Sequence, residues 1–209
     1  TFATGYVAFD ALAKPLSIQD PNTSSAVVSN HLSNNLSKNS PATDLGELLS
    51  AYYAQEANYQ SVRSQVFAWY GEKKNGCVAF AATALRAIGI AIPLADTFEE
   101  DLVALDTKPF VHYLLEKMHW QRIEELNQAR PGDIGVTIMD AEFKEYPTHI
   151  FVFARWLAKD DLVALVLDNQ GYLIPRPLRS TPANAKKYPD KDPTAFLIRP
   201  RHRSEEHTS

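Results

Sequence analysis

The feature that most constrains this chain is a change of hydrophobic period along it: helical spacing in the first part gives way to strand-like runs from about Asp133 onward. In DLGELLSAYYAQEANYQSVRSQVFAWYG, residues 44–71, the positions Leu45, Leu48, Leu49, Tyr52 and Tyr53 recur on one helix face, with Asp44 or Thr43 placed as N-cap. One helix or two therefore precede residue 77. CVAFAATALRAIGI, residues 77–90, is alanine-rich, sets Val78, Ala81, Leu85 and Ile88 on one face and has Gly89 just past its end. FEEDLVAL and HYLLEKMHW predict shorter helices around Pro109. After the Pro131-Gly132 turn, DIGVTIM, THIFVFARW, DLVALVLDN and AFLIRP are short runs rich in β-branched, aromatic and aliphatic residues, read as four strands. Helices first and sheet second indicate an α+β fold, with N-terminal helices, the cysteine-bearing one among them, packed on an antiparallel sheet.

Length and composition narrow the organisation. A chain of 209 residues has room for one domain of ordinary size with an arm or tail. Residues 22–43 are dominated by Ser, Asn and Thr and cannot bury enough surface to order themselves, so residues 1–43 are read as an N-terminal arm and linker and residues 44–200 as the domain. Arg203–Ser209, RSEEHTS, reads like the in-frame translation of a sequencing adapter and is expected to be a non-native tail. No apolar run approaches the roughly 18 residues that a membrane span needs, so no membrane span is expected. The net charge of -4 supplies no basic field for a phosphate backbone, which argues against nucleic acid as partner. The single cysteine excludes an internal disulfide framework and a thiolate-rich zinc site, and the histidines lack His-x-x-His spacing; no metal and no cofactor are expected.

That cysteine is where the chemistry gathers. Cys77 follows the flexible pair Asn75-Gly76 and opens a helix, so its sulfur faces the unpaired amides of a helix N-terminus, where an anion is favoured. His149 opens the run HIFVFARW directly after Pro147-Thr148, at a strand end from which its ring can reach a neighbouring element as base. THIFVFARW and LVALVLDN are separated by a short polar stretch and form an antiparallel hairpin. A turn centred between Ala158 and Lys159 sets His149 opposite Asp168, with Asn169 one step further. Pleat parity does not choose between these two as the group that orients the ring, because a one-residue change in loop length switches the register. The simple alternatives are a buried inert thiol, a structural histidine at a strand end and ordinary turn chemistry in Asp-Asn-Gln-Gly. Arg86, Trp69, Tyr70 and Trp156 lie near enough in sequence to line a cleft, although packing is their ordinary role.

Four stretches carry a family resemblance: NGCVAFAATALRAIGIAIP, ARPGDIGV, THIFVF and LVLDNQG, spread over residues 70–171. Together they resemble the NlpC-type and CHAP cell-wall cysteine peptidases and amidases, which share a papain-like core. The resemblance implies a papain-like fold and a cysteine hydrolase acting on bacterial cell-wall peptide, with Cys77 as nucleophile, His149 as base and Asn169 ahead of Asp168 as third member. It also implies peptidoglycan stem peptide as partner and a secreted or envelope location. Two departures stand out: Cys77 sits between Gly76 and Val78 where relatives carry Ser-Gly after the cysteine, and Ile150-Phe151 follow His149 where relatives continue with Val-Gly. A papain-like amidase or transferase on another acyl donor, and a non-catalytic binding module, are the rival readings.

Overall fold

Asp44 accepts a hydrogen bond from the Gly46 amide at 2.7 Å and so starts helix α1 (Leu45–Tyr53), which buries Leu49 and Tyr53. Helix α2 (Glu56–Tyr70) follows and buries Tyr59, Val62 and Val66. Helix α3 (Cys77–Ala87) closes with paired backbone hydrogen bonds, Ile90 N–H to Leu85 O and Gly89 N–H to Arg86 O, each 3.0 Å, and Gly89 takes the φ of +88° that this ending requires. The pattern of apolar residues predicts one buried face for α3, but every residue from Cys77 to Leu85 is buried. Four alanines in that stretch keep the helix thin, so α2 and the sheet both pack close against it.

The structure is a computed structural model that describes residues 44–71, 76–93, 102–138, 147–189 and 191–201, all within one compact unit, Ala42–Ser209. The expectations for residues 1–43 and 203–209 lie outside the described residues, as does Thr43. The architecture is α+β: helices and one six-stranded sheet in the order β1-β6-β2-β3-β4-β5, with every neighbouring pair antiparallel. The strands are β1 (Gln121–Ile123), β2 (Ile134–Ile138), β3 (Pro147–Ala158), β4 (Val163–Leu167), β5 (Ile174–Pro177) and β6 (Thr194–Arg199). Four of them match the expected runs. The additional strands, β1 and β5, are the two edges; β1 is three residues long, and β5 carries Pro175 and Pro177, which an edge strand tolerates. Between β5 and β6 lies a further short helix, α5 (Pro182–Lys187), started by Thr181, whose hydroxyl accepts from the Asn184 amide at 3.1 Å.

Pro109 does not divide two helices. Helix α4 (Thr107–His112) runs through it into a wider turn, Tyr113–Lys117, because Pro109 falls in the first turn, where its missing N–H has no helical acceptor to lose. Of FEEDLVAL, the described part holds a 3-10 turn, Leu102–Ala104.

Ile134, Val136, Ile150, Val152, Phe196 and Ile198 form a core with the helices, and Phe151, Phe153, Val166 and Leu197 form a second core cluster. Gly135, paired with Phe151 across β2 and β3, makes the second possible, since a Cβ on it would lie 2.0 Å from Phe151 Cζ. A similar close approach joins α1 to the turn before β2: a Cβ on Gly132 would stand 2.1 Å from the Gly46 carbonyl oxygen. At the head of β2, buried Asp133 receives Arg199 Nε at 2.9 Å and Nη2 at 2.8 Å from β6. Among the described residues no helix is long and apolar enough to cross a membrane.

Candidate active site

Three chain segments meet at the N-terminus of α3. Cys77 is its first residue, and the preceding Gly76 offers no side chain to cap the first-turn amides, so these remain directed at whatever lies beside the sulfur. The thiol is nearly covered, with Cys77 6% exposed. Strand β3 brings His149. Its start is pinned on two sides, by the Thr107 hydroxyl, which donates to the Pro147 carbonyl, and by Thr148, whose hydroxyl lies 3.2 Å from Asp192 Oδ2. The chain leaving β4 brings Asp168, which is fully buried.

His149 Nε2 stands 2.8 Å from Asp168 Oδ2. A carboxylate only accepts, so Nε2 carries the proton and donates it. The other oxygen of Asp168 is occupied by backbone donors, Gln170 N–H at 2.7 Å and Gly171 N–H at 3.2 Å, and its carbonyl accepts from the buried Tyr59 hydroxyl at 3.0 Å. The carboxylate is thereby fixed in orientation as well as in position. Cys77 is the second group that acts on the ring, and with Nε2 committed to Asp168 it is Nδ1 that is left for the sulfur. The three residues form one series from the helix to the turn after β4, with the His149–Asp168 hydrogen bond at its centre.

Burial of the His149 ring opposes its charged form, but the hydrogen bond to Asp168 and the influence of Cys77 outweigh it, and the pKa is raised from the ordinary 6.5. A raised pKa in the folded state contributes stability that is fully present below the unfolded value and disappears as pH rises through the folded value. The urea midpoint of the wild type is therefore expected to fall relative to that of His149→Gln between pH 6.5 and the folded pKa above it. A constant difference across that interval would show that the ring gains nothing from its partners.

The structure brings together Cys77, His149 and Asp168. Asn169, which the resemblance ranks ahead of Asp168, is the next residue in the turn, and the carboxylate of Asp168 is the group found on the ring. The register explains the choice. Val152 pairs with Leu167, and two irregularities near the hairpin end displace the strands from the simple count. Continuing that pairing sets Asp168 beside Phe151, so His149, two residues back and on the same side of the strand, is its diagonal neighbour. The direct pairing of His149 with Asp168 expected from a turn at Ala158-Lys159 is thus corrected by two positions, while the contact itself survives. Of the other residues considered for a cleft, Arg86 Nη1 donates to the Ile92 carbonyl at 2.9 Å, Trp69 Nε1 to Thr83 Oγ1 at 3.2 Å, and Trp156 packs edge-on to Phe153. Tyr70 packs edge-on to Trp69.

No family model, curated protein or solved structure matches the chain. The reading of the site accordingly comes from its own chemistry. Among the described residues no group of three or more His, Cys, Asp and Glu side chains is arranged to hold a metal ion. A fourth residue beside the series, Arg176 on β5, is absent from the sequence reading. It stands between two prolines in a four-residue strand, where neither period nor motif distinguishes it.

Proposed function

We propose that the protein is a papain-like cysteine hydrolase that cleaves an amide bond, with bacterial cell-wall peptide as its substrate. The observation that carries the reading is the hydrogen-bonded pair His149–Asp168 set beside Cys77, whose sulfur lies at an uncapped helix N-terminus. Support for the core comes from the order of elements, a cysteine-bearing helix ahead of an antiparallel sheet whose β3 presents the histidine. Support for the substrate class comes from the four stretches that resemble cell-wall peptidases and amidases.

In the proposed reaction, Cys77 Sγ as thiolate adds to the amide carbonyl. His149 as imidazolium gives its Nδ1 proton to the leaving amine as the C–N bond breaks, and a thioester remains. Water then attacks the thioester while Nδ1 takes its proton; the C–S bond breaks, the acid leaves, and the thiolate–imidazolium pair is restored. The backbone amide of Cys77 faces the oxyanion in both steps. Asp168 Oδ2 accepts from Nε2–H in both steps, which keeps Nδ1 toward the sulfur.

A second reading, a non-catalytic module with an inert thiol, draws on the small exposure of Cys77. Iodoacetamide alkylation followed against pH, on wild type and His149→Ala, separates the two. The hydrolase reading expects fast alkylation below pH 7 that the variant loses, followed by release of new amines from peptidoglycan fragments. Equal, slow alkylation in both proteins would leave the binding module as the account.

A further inference from the structure

Arg176 is 2% exposed, and its guanidinium lies over the Phe151 ring, 4.9 Å from the centroid. That ring is seated on Gly135, where any side chain would displace it. Among the described residues the guanidinium makes one hydrogen bond, Nη2 to the Asp192 carbonyl at 3.3 Å, and Nε has no partner. Burial pulls its pKa below the ordinary guanidinium value, while Asp168, Asp192 and Cys77 act in the opposite direction. A buried cation so sparsely bonded is unfavourable unless its field is used.

The working form of the proposed site supplies that use. A thiolate, an imidazolium and a carboxylate together leave one negative charge uncompensated, and Arg176 on β5 lies over Phe151, the residue that the strand register sets beside Asp168. The charged and titratable groups that act on Arg176 are Asp168 after β4, Asp192 before β6 and Cys77 on α3; His149 on β3 bonds Asp168, and from α2 Tyr59, with Arg63 acting on it, bonds the Asp168 carbonyl. Arg176 is too deeply covered to meet substrate, so its effect runs through the others. Resting on the hydrolase reading, we propose that Arg176 is a positioning residue whose buried charge, held over Phe151, offsets the surplus negative charge of the ionised Cys77–His149–Asp168 series.

The test compares the pH profile of Cys77 alkylation in the full chain for wild type, Arg176→Met and Arg176→Lys, each checked for folding by circular dichroism. At pH 6 the rate is expected to fall about tenfold in the methionine variant and to stay within about twofold of wild type in the lysine variant. Arg176→Gln, which can still meet the Asp192 carbonyl, replaces the methionine variant if that protein does not fold, with the same expectation. A folded neutral variant with the wild-type profile overturns the proposal. So does a lysine variant displaced as far as the neutral one, since shape and not charge would then be the cause. Failure of the hydrolase reading is seen separately, as identical profiles for wild type and His149→Ala; in that case the proposal falls with it.

Discussion

Asp168→Asn is expected to lower amide hydrolysis by about 10²–10⁴-fold while leaving the fold in place. The turn after β4 fixes which way the new amide points. Oδ1 of Asp168 receives the Gln170 and Gly171 amides, so the asparagine oxygen must stay there, and its NH2 group replaces Oδ2 against His149 Nε2. A donor at that position forces Nε2 to accept, and the neutral ring then carries its proton on Nδ1, facing the sulfur. Such a ring cannot take a proton from the thiol. Turning the amide over would restore the ring but set NH2 against two backbone N–H groups. The measurement is kcat/KM on peptidoglycan fragments beside a thermal melt. Activity within about fivefold of wild type at an unchanged melting point would show that Asp168 does not set the tautomer.

The largest expected loss of stability comes from the far end of β2. Asp133 is 1% exposed and accepts Arg199 through two parallel hydrogen bonds, with Arg130 N–H at 2.8 Å as a third donor. Arg199→Met leaves that carboxylate buried with its charge uncompensated, at a cost of about 3–5 kcal/mol. For a domain of this size the melting temperature should fall by roughly 6–20 °C. Adding Asp133→Asn in the same chain removes the stranded charge and should recover part of the loss. A change below about 1 kcal/mol for the single variant would mean that water reaches Asp133. The pair also matters to the site, because the Asp133 carbonyl receives Phe153 N–H at 2.8 Å and so helps hold the strand that carries His149.

Much of this arrangement can be read in the residues. The helix opened by Cys77 and ended at Gly89 and the β3–β4 hairpin follow from period and turn residues, and the count across the loop brings His149 to the Asp168-Asn169 pair without choosing between them. What escapes the reading has physical causes. The two bulges between β3 and β4 shift register without leaving a mark in the apolar pattern, which is why the count predicts a direct pair where the fold makes a diagonal one. β1 is too short for alternation to register, and β5 disguises itself with prolines that only an edge position permits. Thr181-Pro182 is a legible helix start, but six residues give it too little periodicity to stand out. Arg176 shows no local signal because its role depends on the Gly135 gap and the Phe151 ring, which are adjacent only after the sheet forms. The same pair accounts for the aromatic residue that departs from the Val-Gly expected after the histidine.

The strand order carries a consequence for synthesis. β6 lies between β1 and β2, so the last strand described is an interior one. On a ribosome, a chain that has already delivered Cys77, His149 and Asp168 still holds β6 in the exit tunnel, and the facing edges of β1 and β2 have nothing to bond. Arg199, the partner of Asp133, arrives with that strand. Vectorial translation thus brings these three residues out well before the scaffold that aligns them, and the same interval exposes two open edges to other nascent chains.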